Sequence, residues 1–533
     1  MRIRVPFFFL AVALFAQQSP PKSEDLSSIE GHVTNAATGA PVKKAELVVL
    51  RIDPDPQTSY SATTDSYGKF AMWDMEPGKY RLTVRANGFV EANYGVRRPN
   101  RVGATLSLDP GQRLKDVNPK LTPHGVIAGR VVDADGDPVV RAEVAAQSYR
   151  RGEGRKQLVP TGTSSTNDLG EYRIFGLAPG RYFVTAIYHQ TRAARTPQQD
   201  ESYVPTYYPG AIDIAAAVAV DVRAGADLHA MNITLSKTHT VRVRGHVNNA
   251  GGGKLNVMIL LTPRDRAGSW GVGGKAGVDG QGNFEFREVR PGAYWVEIES
   301  FGDRPLFVRQ AIDVGNTNID DAAVTLAPGV DLPGKIKSEG PDGVNLAGIN
   351  VMLRARDAAE TYPRTNGRVK DDGSFTLGQV APEHYDLYVG GLPASYYVKS
   401  IRAGDREVRD SGLDIAAGPA GPLTVTIAPG AGQVDGLVAD DKQAAAGALV
   451  VLIPDDARRR ERSDSYATAT TGQYGLFTLK GIVPGEYKLY AWDDIESGAY
   501  LDPGFMKPFE SRGLPMTIHE NSKEKAQLEL IAQ

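Results

Sequence analysis

One register, met five times along 533 residues, limits what this chain can fold into. From Gly68, apolar or aromatic side chains stand at +2, +4 and +7 (Phe70, Met72, Met75), a proline at +9 (Pro77) and a tyrosine at +12 (Tyr80). From Gly170 the same places hold Tyr172, Ile174, Leu177, Pro179 and Tyr182, and from Gly282 they hold Phe284, Phe286, Val289, Pro291 and Tyr294. From Gly373 come Phe375, Leu377, Val380, Pro382 and Tyr385, and from Gly475 come Phe477, Leu479, Ile482, Pro484 and Tyr487. Positions +2 and +4 line one face of a strand. The step to +7 breaks that period, which reads as a strand leaving the sheet edge. The opening glycine follows polar turn residues and suits the positive φ of a hairpin turn. Pro-Gly fits the centre of a type II turn, after which Tyr80, Leu82 and Val84 alternate again. The fourth copy has Glu383-His384 after its proline, so a different turn is expected there.

The five prolines recur about every hundred residues, too long for a solenoid repeat and the size of an independent domain. The spacing therefore predicts five domains, each large enough to bury its own core. Each opens on a similar strand with a central glycine: Gly31, Gly129, Gly245, Gly334 and Gly436. Each closes on an alternating strand, such as residues 117–121, 231–235 and 423–427. Short strands at regular spacing, with 58 glycines and 34 prolines at the turns, indicate an all-β chain of antiparallel β-sandwiches. Helical periodicity is absent beyond Ala215-Ala216-Ala217, which suits one helical turn or a strand equally.

Residues 1–16 place Arg2 and Arg4 before an apolar run ending at Ala16, the pattern of a secretory signal peptide; a buried helix or N-terminal anchor is the alternative. No later stretch is long and apolar enough to span a bilayer. Residues 17–27 read as an unstructured leader. The expected sandwiches are 28–123, 124–239, 240–330, 331–431 and 432–533. Their short junctions predict an elongated, semi-rigid string.

The motifs Gly-x-Val (Gly31, Val33), Gly-x-Pro-Val-x-x-Ala-x-Val and Pro-Gly-x-Tyr (Pro77, Tyr80) resemble the carboxypeptidase regulatory-like domain family. The resemblance is strongest over the first two domains and weakest over the third and fourth. It implies a transthyretin-like seven-stranded sandwich, grouped with starch-binding-like and collagen-adhesin B-type domains. It does not imply peptidase activity. In bacteria such domains look like parts of secreted, surface-attached or TonB-dependent envelope proteins.

No cysteine is present, which excludes disulfides, cysteine nucleophiles and thiolate metal sites together. The formal net charge of −3, with both signs interspersed, implies no field for nucleic acid or a membrane surface. The eight histidines form neither His-Glu-x-x-His nor His-x-x-Glu, and a Gly-x-Ser-x-Gly elbow is missing. His32 and His246 share one place in opening strands and read as structural. Gly271-Val272-Gly273-Gly274-Lys275-Ala276 lacks the hydroxyl residue and the following helix of a phosphate loop and reads as a flexible hairpin tip. Asp133, Asp135 and Asp137 alternate as in a calcium loop, but Val144 stands where its glutamate belongs, so a plain turn is expected. Lys335 and Lys337 lack an evident acid partner for an isopeptide crosslink. No catalytic residue, metal or cofactor is therefore assigned.

Aromatics remain. Alternation from Tyr294 turns Trp295 away from the core, and alternation from Tyr487 does the same for Tyr490 and Trp492. Tyr203, Tyr207 and Tyr208 share a loop, and Trp270 sits on a glycine-rich hairpin. Edge packing or domain–domain contact would explain any one of them. As a group they suggest a carbohydrate or partner site. The expected protein is an exported, non-catalytic multidomain binder or spacer, its partner a polysaccharide or a cell-envelope protein. The alternative is an accessory subunit of a separately encoded hydrolase or TonB-dependent transporter.

Overall fold

The computed structural model describes residues 25–53, 58–96, 101–152, 155–188, 201–249, 257–264, 272–299, 306–340, 344–356, 365–416, 421–441 and 443–532. The stretch read as a signal peptide, most of the leader, and Trp270 lie outside these residues. The chain is all-β. Its strands enclose five hydrophobic cores, each drawn from one continuous stretch, around Leu47, Val144, Ile259, Leu353 and Leu452.

The five share one plan. The opening strand (Ser27–His32, Gly125–Val132, Val241–Asn249, Val330–Ser338, Gly432–Asp440) pairs antiparallel with the strand carrying +2 and +4. Tyr +12 begins a returning strand in the facing layer: Gly78–Arg85 pairs with Glu46–Asp53, and Gly485–Trp492 pairs with Leu449–Pro454. The arrangement is not purely antiparallel. On its other edge each opening strand takes a closing strand in parallel, because the chain has crossed between layers before it returns. In the third sandwich the hairpin of Leu306–Val314 and Ile319–Pro328 joins the layers, so seven strands form a single curled sheet.

The opening strands need glycine for a reason of packing. A Cβ on Gly31 would lie 1.8 Å from the Val117 carbonyl oxygen, and one on Gly129 would lie 2.2 Å from that of Met231. On Gly334 it would enter the Phe375 ring at 2.2 Å. The glycine lets the closing strand or the +2 aromatic lie directly against the backbone.

The turn glycines do adopt the left-handed region: φ is 73° at Gly68, 72° at Gly170, 90° at Gly282, 80° at Gly373 and 72° at Gly475. Their carbonyls accept from Val33, Val131, Val247, Ile336 and Val438 of the opening strands at 2.8–2.9 Å. This turn links the two layers and closes no hairpin, since Ser59–Thr63 pairs with Glu46–Asp53 while Lys69–Met75 pairs with Ser27–His32. A buried threonine four residues before the glycine braces it in three copies. Thr64, Thr166 and Thr471 each donate to a carbonyl (Val42, Val139, Ala445) and accept from an amide (Ala45, Ala142, Ala448). The third and fourth copies have Val278 and Val369 there, which is where the family resemblance weakens.

The corner differs from the type II turn expected. Gly78 and Gly485 have φ of 157° and 149°, far from the turn value of about +80°. Gly180 and Gly292 are not at positive φ at all. The bend lies at +6, where Asp74, Gly176, Glu288, Gln379 and Gly481 have φ of 58°, 76°, 58°, 54° and 72°. Here the register against the opening strand slips by one: Ile29 faces Met72, but Ser27 faces Met75. That is a β-bulge with a left-handed residue, and it explains the step from +4 to +7. Because the post-proline glycine is not the bend, the fourth copy turns the same corner with Glu383-His384.

Tyrosine +12 ties the corner down. Its hydroxyl donates to the carbonyl four residues earlier in every copy: Tyr80 to Glu76 (2.6 Å), Tyr182 to Ala178 (2.6 Å), Tyr294 to Arg290 (2.9 Å), Tyr385 to Ala381 (3.0 Å) and Tyr487 to Val483 (2.6 Å). Burial raises the hydroxyl pKa at each, keeping the donor proton in place. Replacing any one by phenylalanine should cost its own sandwich about 1 kcal/mol. Hydrogen exchange should register the loss in that sandwich and leave its neighbours unchanged.

The array is not an extended string. The fifth sandwich reaches back to the first, where the Gln473 amide donates to the Thr105 carbonyl at 3.1 Å. It also reaches the second, through an ion pair between Arg151 and Asp502. Short junctions limit how far neighbours can separate, but they do not set the direction of each bend.

Candidate functional site

The fifth sandwich carries a second hydrophobic core besides its main one. Along its returning strand Tyr487, Leu489 and Ala491 face the main core, while Lys488, Tyr490 and Trp492 face the other way. That outer face is not open. Residues 493–513 fold over it as a 3-10 turn (Ala499–Leu501), a short helix (Pro503–Met506) and a second 3-10 turn (Lys507–Arg512). Asp502 caps the helix, its carboxylate accepting from the Gly504 and Phe505 amides. The result is a core of Val451, Ile453, Tyr490, Trp492, Ile495, Ala499 and Ile531, with Phe505 and Phe509 packed against it.

This corrects the expectation that Tyr490 and Trp492 are exposed: both are buried. Their rings stack with centroids 5.2 Å apart and planes 10° apart. Phe509 meets Trp492 edge-on at 5.9 Å, so both favoured aromatic geometries occur in one cluster. Trp492 Nε1 has no hydrogen-bond partner among the described residues. Alternation gives the direction of the two side chains correctly, but a segment beyond the strand covers the face.

The cover leaves a cavity of about 210 Å³ against the sandwich. Tyr466, Tyr490 and Tyr500 supply its aromatic wall, Met506 and Pro503 its apolar roof, and Lys488, Arg460 and Glu510 its charges. Arg460 is already committed, since Nε donates to the Pro454 carbonyl at 2.6 Å and Nη2 meets Asp455 at 3.2 Å. The Tyr466 hydroxyl donates to the Arg460 carbonyl at 3.0 Å, and burial pushes its pKa up to about 12. Burial also raises the hydroxyls of Tyr490 and Tyr500. The site thus offers neutral phenol hydroxyls, one ammonium that can only donate and one carboxylate that accepts.

The other expected residues do not join it. Tyr207 is buried within the second sandwich, on a strand paired with Gly180–Ile187, and burial pushes its hydroxyl pKa up to about 12. Tyr203 is half-buried, edge-on to Tyr188 at 5.6 Å, with the Lys237 ammonium 4.7 Å from its ring. Tyr208 packs partly buried on the second core. Trp295 is half-buried under the Arg309 guanidinium, 4.3 Å from its ring centre. Besides the exposed Tyr67 and Tyr474 beside turn glycines, two exposed strand aromatics escape the alternation argument, Trp73 (55 % exposed) and Phe175 (71 %). Both stand at +5 of the register, the outward place between two inward ones, and that place is the signal that could have found them.

Among the described residues, no three acidic or histidine side chains gather where they could hold a metal. Asp133 is occupied by its own turn, accepting from the Asp135 and Asp137 amides at 3.0 Å. Lys335 and Lys337 are exposed, and residues 274–277 form a strand with no helix after it. No described helix is long and apolar enough to cross a membrane.

Solved structures similar to the chain include the Bacillus anthracis TIE protein (13% identity, 57% of this chain and 51% of that one, TM-score 0.18). The chain thus spans about half the length of that protein. A minor pilin of Streptococcus agalactiae matches at 16% identity over 40% of this chain and 97% of its own, with a TM-score of 0.24. Two B repeat units of the collagen binding protein of Staphylococcus aureus match at 13% over 76% and 99%, with a TM-score of 0.14. Likeness at this level bears on neither function nor partner. No curated protein matches the chain. The carboxypeptidase regulatory-like domain matches at residues 28–121 and again at 126–236. The opening glycines, the bulge at +6 and the tyrosine at +12 are all in place over both matched stretches, so the first two sandwiches are similar to carboxypeptidase regulatory-like domains.

Proposed function

We propose that the chain is an exported, non-catalytic array of five carboxypeptidase regulatory-like sandwiches, and that its fifth member binds carbohydrate. The last three sandwiches lie outside the family match, yet they keep the left-handed residue at +6 and the tyrosine-to-carbonyl bond at +12, which supports counting them with the first two. The observation that carries the binding reading is the cavity between the fifth sandwich and its cover. Aromatic walls suit the apolar face of a sugar ring. A donor-only Lys488 and an acceptor Glu510 both find partners in hydroxyl groups, which do both. The space measures about 210 Å³. Drug-sized pockets begin at roughly 300 Å³, so this one fits a single ring at the end of a chain.

The test is titration of the whole protein with a panel of neutral oligosaccharides, read by calorimetry and tryptophan emission. A ligand in the cavity touches Tyr490, which is stacked on Trp492, so emission should change on binding. Lys488→Met and Glu510→Gln should each weaken binding about tenfold, the loss of one hydrogen bond to a charged group. A panel without any binding would overturn the reading. Export is tested separately, by N-terminal sequencing of mature protein from outside the cytoplasm, which should begin near Gln17.

A further inference from the structure

Four seams in the array are bridged by arginines, and they differ in strength. The one between the second and third sandwiches, where opening would hinge, has Arg290 Nη1 donating to the Ile212 carbonyl at 3.3 Å. Between the fourth and fifth sandwiches, Arg462 (side chain 2 % exposed) reaches into the fourth, donating to the carbonyls of Leu387 and Arg409 and lying over the Tyr388 ring. Between the third and fourth, Arg309 (3 % exposed) lies 3.2 Å from Glu297 and 3.6 Å from Glu383. Both of these latter seams also have a short covalent junction. The seam between the fifth sandwich and the first two has neither advantage. Arg151 is 14 % exposed, and its partners Asp502 and Glu496 are 29 % and 48 % exposed.

Further polar contacts cross that seam. The Gln473 side chain bridges both backbone groups of Ser107, accepting from N at 3.3 Å and donating to O at 3.1 Å. Gln112 donates to the Tyr474 hydroxyl at 3.3 Å. The backbones approach closely at glycines: a Cβ on Gly447 would lie 1.6 Å from the Gly95 carbonyl oxygen, and one on Gly498 would lie 3.1 Å from that of Arg151.

We infer that the fifth sandwich is a releasable clasp, which closes the array on the first and second sandwiches and opens there while the third, fourth and fifth move as one body. Polar contacts between partly exposed groups contribute little net stability, and salt screens them. Inter-domain interfaces within a chain move by default unless they are large and hydrophobic. Closure also brings together groups 351 to 366 residues apart in sequence, at a chain-entropy cost that junction neighbours do not bear. Arg151 grips the stretch containing Glu496, Gly498 and Asp502, whose neighbours Tyr500, Leu501 and Pro503 line the cavity from the other side. Closing the clasp therefore steadies one cavity wall. The clasp itself stands whatever the cavity takes.

Small-angle scattering on the whole chain tests this. At low salt the wild type should be compact. Arg151→Glu combined with Gln473→Ala should raise the radius of gyration by roughly a third, as one end of the array swings free. The wild type should expand in the same direction at about 1 M salt, where the screening length falls to ~3 Å. Melting of the double variant should match the wild type, since none of these side chains enters a core. A wild type already extended at low salt would overturn the inference. So would a double variant that melts normally and stays compact at both salt concentrations.

Discussion

Gly31→Ala should unfold the first sandwich selectively, at a cost of about 3 kcal/mol. The new Cβ would sit 1.8 Å from the Val117 oxygen and 2.6 Å from its carbonyl carbon, and both are backbone atoms that no rotamer change can move aside. Overpacking of this kind costs ~1–3 kcal/mol or more, because the paired strand must shift. The closing segment would have to leave, and with it Val117 and Leu121, both buried in the first core. Hydrogen exchange followed by mass spectrometry should show about a hundredfold loss of protection across residues 28–121. Residues 126–236 should keep theirs, because their core shares no side chain with the first. A variant with unchanged protection would show that the opening glycine has no packing role. A collapse spread over both would show that the sandwiches do not fold as separate units.

The second large effect is expected at Arg462→Ala. Its guanidinium sits almost wholly buried at the seam of the fourth and fifth sandwiches, bonded to Asp464 at 2.7 and 2.9 Å and to two carbonyls of the fourth. Removing it strands the Leu387 and Arg409 carbonyls and leaves Asp464 without its counter-charge. Because Asp464 is 40 % exposed and can rehydrate, the cost is that of the lost charged hydrogen bonds to the buried carbonyls, about 1.5–3 kcal/mol. The loss should appear as protease sensitivity between the two sandwiches and as faster exchange in His384–Gly390, with the cores around Leu353 and Leu452 still folded. Arg462→Lys should recover little, because one ammonium cannot span two carbonyls and a carboxylate in fixed directions. Full stability in the alanine variant would mean that the seam is held by other contacts.

These two residues were unequally legible in the sequence. The five glycines were visible at once as the centres of five opening strands, although not the reason for them, which is a parallel strand or an aromatic ring laid on the backbone. Arg462 carries no local sign. It lies in a short polar stretch, and its importance comes from carbonyls 53 and 75 residues away. The corner falls between these cases. The jump from +4 to +7 announced a break in the strand, but Pro-Gly suggested the wrong place for it. The bend lies at +6, where aspartate, glutamate and glutamine take the left-handed conformation as well as glycine, so composition gave no warning.

The aromatic residues separate the two kinds of information most clearly. Alternation is a local property of a strand, so the outward direction of Tyr490 and Trp492 followed from counting along Gly485–Trp492. Whether an outward face meets solvent depends on segments far along the chain, and here Ile495, Phe505 and Phe509 return to cover it. By itself, then, the sequence determined the all-β class, the five-fold repetition and the inward side of each core strand, because all three rest on residue spacing. Only the tertiary structure decided which aromatics are covered, where the cavity lies, and that the array closes back on its first two members. Those outcomes depend on the direction each segment takes after a strand ends, and that direction is set by contacts between residues that the local pattern does not link.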